Sequence, residues 1–378
     1  MKKLLLSTAT LLIILPHLLS VAQQQATTVT VKAVPEHPYV EKGDFGQYLN
    51  FDLWVDNPTT DNLRLFRLEA SAFDDSGGLV FRRFLVEDGD SPGIYTIPTL
   101  DLKANGALYI FNPFYDIDPT LHIRRMIYEL TFDVGGSEQR RLASVTVVPE
   151  HYETKTNLMI PIKGRLIVYD GHDFYSHHRR VNLSPPVVQK MGFHDNPVRY
   201  AYDLCPVNNE GAIYRGDPTK KENWYAYGTP VYAPGDGVVV SVENALKENT
   251  IEGKKLVMPP DFPDTIIAAE GNHVIIDHEN GEFSELAHMQ TGSVQVKKGD
   301  RVKRGQLLGK IGFSGDTGHH VHLHYQLMSS TDIAQIRSLP SYFSNFRQIR
   351  GSQVVRVERG TIDTGEIIEN ESSVPQQR

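Results

Sequence analysis

The chain has 378 residues, 46 acidic against 38 basic side chains for a formal charge of −8, and a single cysteine. The acidic excess is modest and no basic stripe interrupts it, which excludes the electrostatic footprint of a nucleic-acid binder. A lone Cys205 excludes an internal disulfide, so hydrophobic cores must supply the stability, and the length suffices for about two ordinary domains.

Lys2 and Lys3 precede an apolar run from Leu4 to Leu19, and Ser20-Val21-Ala22 stands before Gln23. These are the three parts of a secretory signal peptide over residues 1–22, with the mature chain starting near Gln23. The run is shorter than the ~20 residues that span a bilayer and ends in small residues suited to cleavage. No later segment is long and apolar enough to cross. The reading is an exported protein, periplasmic or extracellular, with no transmembrane segment in its mature form.

Residues 27–150 alternate in short strand-like pieces such as TTVTVKAV, YLNFDLWVDN and HIRRMIYELTFDV. Turn residues separate them, among them Asn57-Pro58, Ser76-Gly77-Gly78 and Gly135-Gly136. The pattern predicts an antiparallel β-sandwich, immunoglobulin-like but without the Cys-Trp-Cys core. No convergent polar set stands out there, which favours a positioning or binding module over a second active site.

Glu150 to Lys163 reads as a connector, and residues 165–330 as a second, mainly antiparallel β-sheet domain that holds nearly all the unusual chemistry. In VQVKKGDRVKRGQLLGKIGFSG, Gly299-Asp300 and Gly305-Gln306 sit between short apolar pieces as hairpin turns would. Residues 331–358 read as a C-terminal extension that packs back on the core. The polar, acidic residues 359–378 read as a disordered tail.

The densest signal is GDTGHHVHLHYQL, from Gly315 to Leu327. In a strand, His322 and His324 project from one face roughly 7 Å apart, so one can hold a metal while the other handles protons beside it. Val321, Leu323 and Tyr325 fall on the other face and supply its apolar side. Asp203 lies upstream in VRYAYDLCP, where alternation groups it with Arg199 and Ala201.

In chain order, YAYDL, GTPVYAPGDGVV, SELAHM, GDRVKRGQLLGKIG and SGDTG followed by HLH resemble the lysostaphin-type zinc metallopeptidases. These are secreted or periplasmic endopeptidases that cut peptide bridges of bacterial cell walls. The resemblance implies a Zn2+ cofactor, with Asp203 and His324 as metal ligands and His288 and His322 as the catalytic pair flanking water and scissile carbonyl. It departs from the commonest family pattern at Arg199, where a His stands four residues before the Asp. A third ligand must then come from elsewhere. His177 is the first candidate and neighbouring His178 an alternative, since family variants take this ligand from an upstream Ser-His segment; the other alternative is His194, which a short hairpin through Asp195-Asn196-Pro197 would bring beside Asp203.

Two imidazoles and a carboxylate leave zinc an open fourth position, the mark of a catalytic site. His172, His273 and His278 read as strand or turn residues, and Cys205 as an unlikely thiolate ligand because the strand breaks at Pro206. The implied function is hydrolysis of peptidoglycan stem or bridge peptides. The alternatives are a non-catalytic module that binds cell-wall peptide or activates a partner hydrolase as its regulator, and, with the His cluster incidental, an adhesion or carbohydrate-binding protein.

Overall fold

The computed structural model describes residues 28–43, 45–253, 255–263 and 269–370. The expected signal peptide lies outside the described residues. Secondary structure is almost entirely strand, mostly in antiparallel sheets.

Two sheets of the N-terminal half share one core. Thr30–Val34, Asp52–Asn57 and Gly106–Phe111 form one, and Arg140–Val147, Arg125–Val134, Leu63–Phe73 and Leu79–Val86 the other. Phe51, Leu53 and Ile110 from the first meet Leu65, Leu68, Tyr128 and Phe132 from the second. The long strand LRLFRLEASAF changes phase partway: Leu65 pairs with Phe132 and Arg67 with Thr131, leaving Phe66 as a bulge. The buried set shifts there from odd to even positions, so both ends of the strand still face the core.

The C-terminal half is built on an 11-stranded sheet. Its central strands run in the order Gly237–Glu243, Asn272–Asp277, Phe283–Met289, Leu323–Met328, Tyr202–Pro206, Gly164–Asp170 and Ile367–Asn370. Val321, Leu323, Tyr325 and Leu327 enter the core on one side with Leu204, Val274 and Leu286. His322, His324, Gln326 and Met328 therefore line the opposite face, as period two requires. Among the described residues no helix is long and apolar enough to cross a membrane.

Two expectations are corrected. The presumed tail is ordered as far as residue 370, because Ile367–Asn370 pairs with both Gly164–Asp170 and Phe343–Arg350. Ile368 is fully buried, and Asn370 Nδ2 donates to the carbonyls of Ile160 and Ile162. Residues 371–378 lie outside the description. The extension over 331–358 packs back on the core through Phe343 and Phe346, and adds Ser338–Leu339, Phe343–Arg350 and the start of Gln353–Gly360 to the large sheet. The supposed hairpin does not pair with itself: Arg301–Val302 joins Gly237–Glu243, while Leu307–Lys310 joins Pro230–Tyr232. Gly299 and Gly305 do adopt the positive φ that their turns demand.

The segment between Asp170 and Tyr202 lies against the sandwich. Its Phe174 and Leu183 pack on Val34, Tyr109 and Phe111. Arg179 and Asp52 form a wholly buried ion pair, with Asn50 Oδ1 and the Phe51 carbonyl accepting further bonds from the guanidinium. Arg199 reaches the second oxygen of Asp52 at 3.0 Å and Asp195 at 2.7 Å. Arg199, which stands where the resemblance expects a His, thus ties the two halves together.

Candidate metal centre

Asp203 sits mid-sheet, 1% exposed, directly opposite His324 in the register of Tyr202–Pro206 with Leu323–Met328. On its other side His324 faces Ala287, whose methyl leaves the ring room to stand upright in the cleft. Three imidazoles converge on Asp203 Oδ1: His322 Nε2 at 3.2 Å, His324 Nδ1 at 3.3 Å and His178 Nε2 at 3.4 Å. His320 Nε2 lies 3.6 Å and His177 Nε2 3.9 Å from Oδ2.

The mutually closest donor sets are Asp170, His177, His178 and Asp203, and Asp203, His320 and His322. His324 adjoins both through the shared carboxylate, and its ring centre is 5.0 Å from that of His178. Asp203 Oδ2, His320 Nε2 and His324 Nε2 are buried without a hydrogen-bond partner among the described residues. Buried nitrogen and carboxylate lone pairs left unmatched around one point suit a divalent cation, so the residues present fit a metal.

The three candidates for the third ligand separate clearly. His178 is buried and its Nδ1 meets the Gly171 carbonyl at 3.0 Å, which fixes the hydrogen there and leaves Nε2 as the free acceptor. His177 is 63% exposed and its Nδ1 is engaged by Asp170. His194 is exposed and belongs to neither donor set among the described residues.

His288 and His322 face each other across the cleft, ring centres 4.8 Å apart. Each has its Nδ1 at a backbone carbonyl, that of Ser314 at 2.9 Å for His288 and that of His320 at 3.1 Å for His322. Both therefore offer Nε2 to the cleft. Simple alternation from Glu285 would put Ala287 on this face and His288 on the core side. His288 instead takes a left-handed backbone, φ 62°, which turns its ring toward His322 and His324. Its Ser314 anchor is held in turn where Gly271 and Gly315 approach so closely that a Cβ on either would fall within 2.5 Å of backbone.

The sequence places His319 and His320 ahead of the His322 strand as candidates to line the cleft, and assigns Asp170 no role; His320 does line it. His320 stacks on His322, ring centres 4.2 Å apart, and lines the cleft of about 340 Å3 with the other four imidazoles near Asp203. Its signal is the His319-His320 doublet, in which His320 shares the parity of His322 and His324. Among the remaining histidines, His172 pairs with buried Glu41, His273 with Ser241 and His278 with Ser284, so each has a structural partner. Burial pushes the Cys205 thiol well up, and its Sγ lies 3.7 Å from the Val321 carbonyl.

Electrostatics follow from the crowding. Burial, then the neighbouring imidazoles His322 and His324, hold His288 well below the usual imidazole value. Burial outweighs Asp203 and lowers His178, and burial with His322 brings His320 down to about 4. Burial would raise Asp203, but His322 and His178 hold it well below the carboxylate range. Unfolded imidazoles take up protons near pH 6.5 while these three folded ones stay neutral, so the unfolded state binds more protons below that value. Metal-free protein is therefore expected to lose thermal stability as pH falls from 6.5 towards about 4, with a shallower loss in His320→Asn. His172 and His177 are raised, and their contribution is already complete below pH 6.5, so they leave that slope unchanged. A flat midpoint across the window would contradict the assignment.

A buried carboxylate ringed by imidazoles on one face of an antiparallel sheet defines a metallopeptidase-like centre. Residues 224–335 match the family model described as Peptidase family M23, so the chain contains a peptidase M23 domain. The match takes in His288, His322 and His324 and stops short of Asp203 and His178. Similar proteins include Peptidoglycan DD-endopeptidase ShyA of Vibrio cholerae, 37% identical over 103 residues, which are 27% of this chain and 18% of that one. Peptidoglycan DD-endopeptidase ShyC of Vibrio cholerae is 26% identical over 234 residues, 60% of this chain and 46% of that one. Stage II sporulation protein Q of Bacillus subtilis is 30% identical over 77 residues, 19% and 27% respectively. This chain thus spans less than half the length of each of these relatives.

Proposed function

We propose that the chain is an exported zinc endopeptidase that hydrolyses peptide cross-links of peptidoglycan between D-amino acids. The observation that carries this reading is the convergence of His178, His322 and His324 on one buried oxygen of Asp203, with His288 facing them. The M23 match and the printed names of ShyA and ShyC support the substrate class. Export rests on Lys2, Lys3 and the apolar run that follows them.

In this reading Asp203, His324 and His178 hold the zinc. His178 is preferred to His177 because it is buried, oriented by a carbonyl and free at Nε2, whereas His177 is committed to Asp170. When bound, the metal polarises the scissile carbonyl and makes hydroxide available near neutral pH. His322 and His288 flank the reacting groups, each anchored through Nδ1 with Nε2 toward them. Burial keeps His288 neutral at rest, so its bare Nε2 can take up the proton of the attacking water. Once charged it is a strong acid, and it passes that same proton to the departing amine while His322 steadies the developing charge. The buried walls exclude competing water and keep these groups in register.

Purified protein is expected to carry about one zinc per chain and to release soluble muropeptides from sacculi, with a chelator abolishing release. His322→Ala should lose turnover and keep most of its metal. Full activity in that variant would remove His322 from the catalytic pair. Zinc retained by the wild type without cleavage would instead favour a module that binds cell-wall peptide.

A further inference from the structure

Beyond the metal cleft, the same face of the sheet continues into a second cavity of about 310 Å3, and Glu270 and Val198 line both. The strand that presents His322 and His324 next presents Gln326 and Met328. Gln326 lies opposite Glu285 of the neighbouring strand. Its Nε2 donates to Glu285 Oε2, and its Oε1 is buried with no partner. Gln326 is 2% and Glu285 4% exposed. No cation pairs with Glu285 or Glu270 among the described residues. The one other titratable group in the wall, His273, has both ring nitrogens occupied, by the Gly271 carbonyl and Ser241 Oγ. The rest of the lining is largely apolar, with Phe193, Ile275, Met328, Ile333 and Ile336.

We propose that this cavity is the subsite for a substrate residue whose aliphatic side chain ends in a primary amine. An ammonium group has three donors, and the cavity offers three under-used acceptors: the carboxylates of Glu270 and Glu285 and the amide oxygen of Gln326. The apolar wall takes the methylene stem. Glu285 is a buried carboxylate whose one donor, Gln326 Nε2, carries no charge, so it makes sense as half of an ion pair that the substrate completes, with half-buried Glu270 beside it. Burial, then the charges of Glu285, Asp316 and Asp203, favour the neutral Glu270 carboxyl in the free protein, and an incoming cation favours its carboxylate form. The distance fits as well, since Gln326 follows His324 by roughly 7 Å along the strand, so the amine belongs to a residue at or next to the scissile bond.

The inference rests on the endopeptidase reading but is tested separately from it. Two soluble cross-linked muropeptides, alike except that the side-chain amine is free in one and acetylated in the other, are compared. They serve as substrates of the wild type and as ligands of zinc-loaded His322→Ala protein. The free amine should be preferred about tenfold or more in kcat/KM and in Kd, as expected for loss of one partner of a buried charge pair. Glu285→Gln should erase most of that preference, and Glu270→Gln carries the same expectation should the first variant fail to fold. Equal cleavage and binding of both peptides would overturn the subsite and leave the endopeptidase standing. A preference in binding with no cleavage by the wild type would support the subsite and overturn the endopeptidase. Neither binding nor cleavage of either peptide would overturn both.

Discussion

Asp203→Asn is expected to lose zinc and turnover together while the metal-free protein melts close to the wild type. The carboxylate is the group that His177, His178, His320, His322 and His324 all approach, and it is 1% exposed. Protein zinc sites are worth about 10–16 kcal/mol over four ligands, so one ligand accounts for roughly 3–4 kcal/mol and its loss for about a hundredfold to a thousandfold in affinity. Asparagine keeps the volume and can still bond to a neighbouring imidazole, so packing is preserved. The measurement is the thermal midpoint with and without zinc. The wild type should gain from the metal and the variant should not. A variant that gains as much as the wild type would place the metal elsewhere in the cleft, or nowhere in it.

Asp52→Ala, in a different half of the chain from every proposed ligand, is expected to weaken zinc binding as well as folding. Asp52 is wholly buried and answers two guanidinium groups, Arg179 and Arg199, besides accepting from Tyr109 Oη at 2.8 Å. Removing one partner of a buried ion pair typically costs about 3–5 kcal/mol because the remaining charge is left without an answer. Arg179 directly follows His178, and its carbonyl neighbour is also held, since Asn196 Nδ2 donates to the His178 carbonyl at 2.7 Å. Releasing Arg179 therefore frees the segment that aims His178 at Asp203. Zinc affinity, read at a temperature where the variant is still folded, should fall by about tenfold or more, and Asp52→Asn should lie between. Undiminished affinity in folded Asp52→Ala would show that the sandwich merely adjoins the centre without positioning it.

Much of the cleft was legible because strand periodicity is a local rule. HLH in a run with Val321, Leu323 and Tyr325 on the alternate positions can only present both imidazoles to one face, and the coordinates put them there. The same rule fails at His288, where a left-handed residue turns the side chain against the alternation; the Ala-His pattern of the family resemblance, and not the period, had pointed to it. The tail was misread for a compositional reason. Four residues, IIEN, set among acids and turns carry too little pattern to announce a strand, yet they complete the sheet between nearby Phe343–Arg350 and Gly164–Asp170, which comes from far away in the chain.

By itself, the order of residues determined the strand-rich character, the break between a bland first half and a chemically loaded second, and the two faces of the 323–328 strand. Which of three histidines approaches Asp203 most closely in a buried setting, and that a carboxylate near residue 50 steadies it, only the tertiary structure decided. The physical reason is that alternation and turn chemistry act over a few residues, whereas a metal site and a buried ion pair are made between segments that lie far apart in the chain, such as Asp203 with His324 and Asp52 with Arg179. Their pairing is fixed by burial and by the need to satisfy every enclosed charge, conditions that exist only once the chain has closed on itself.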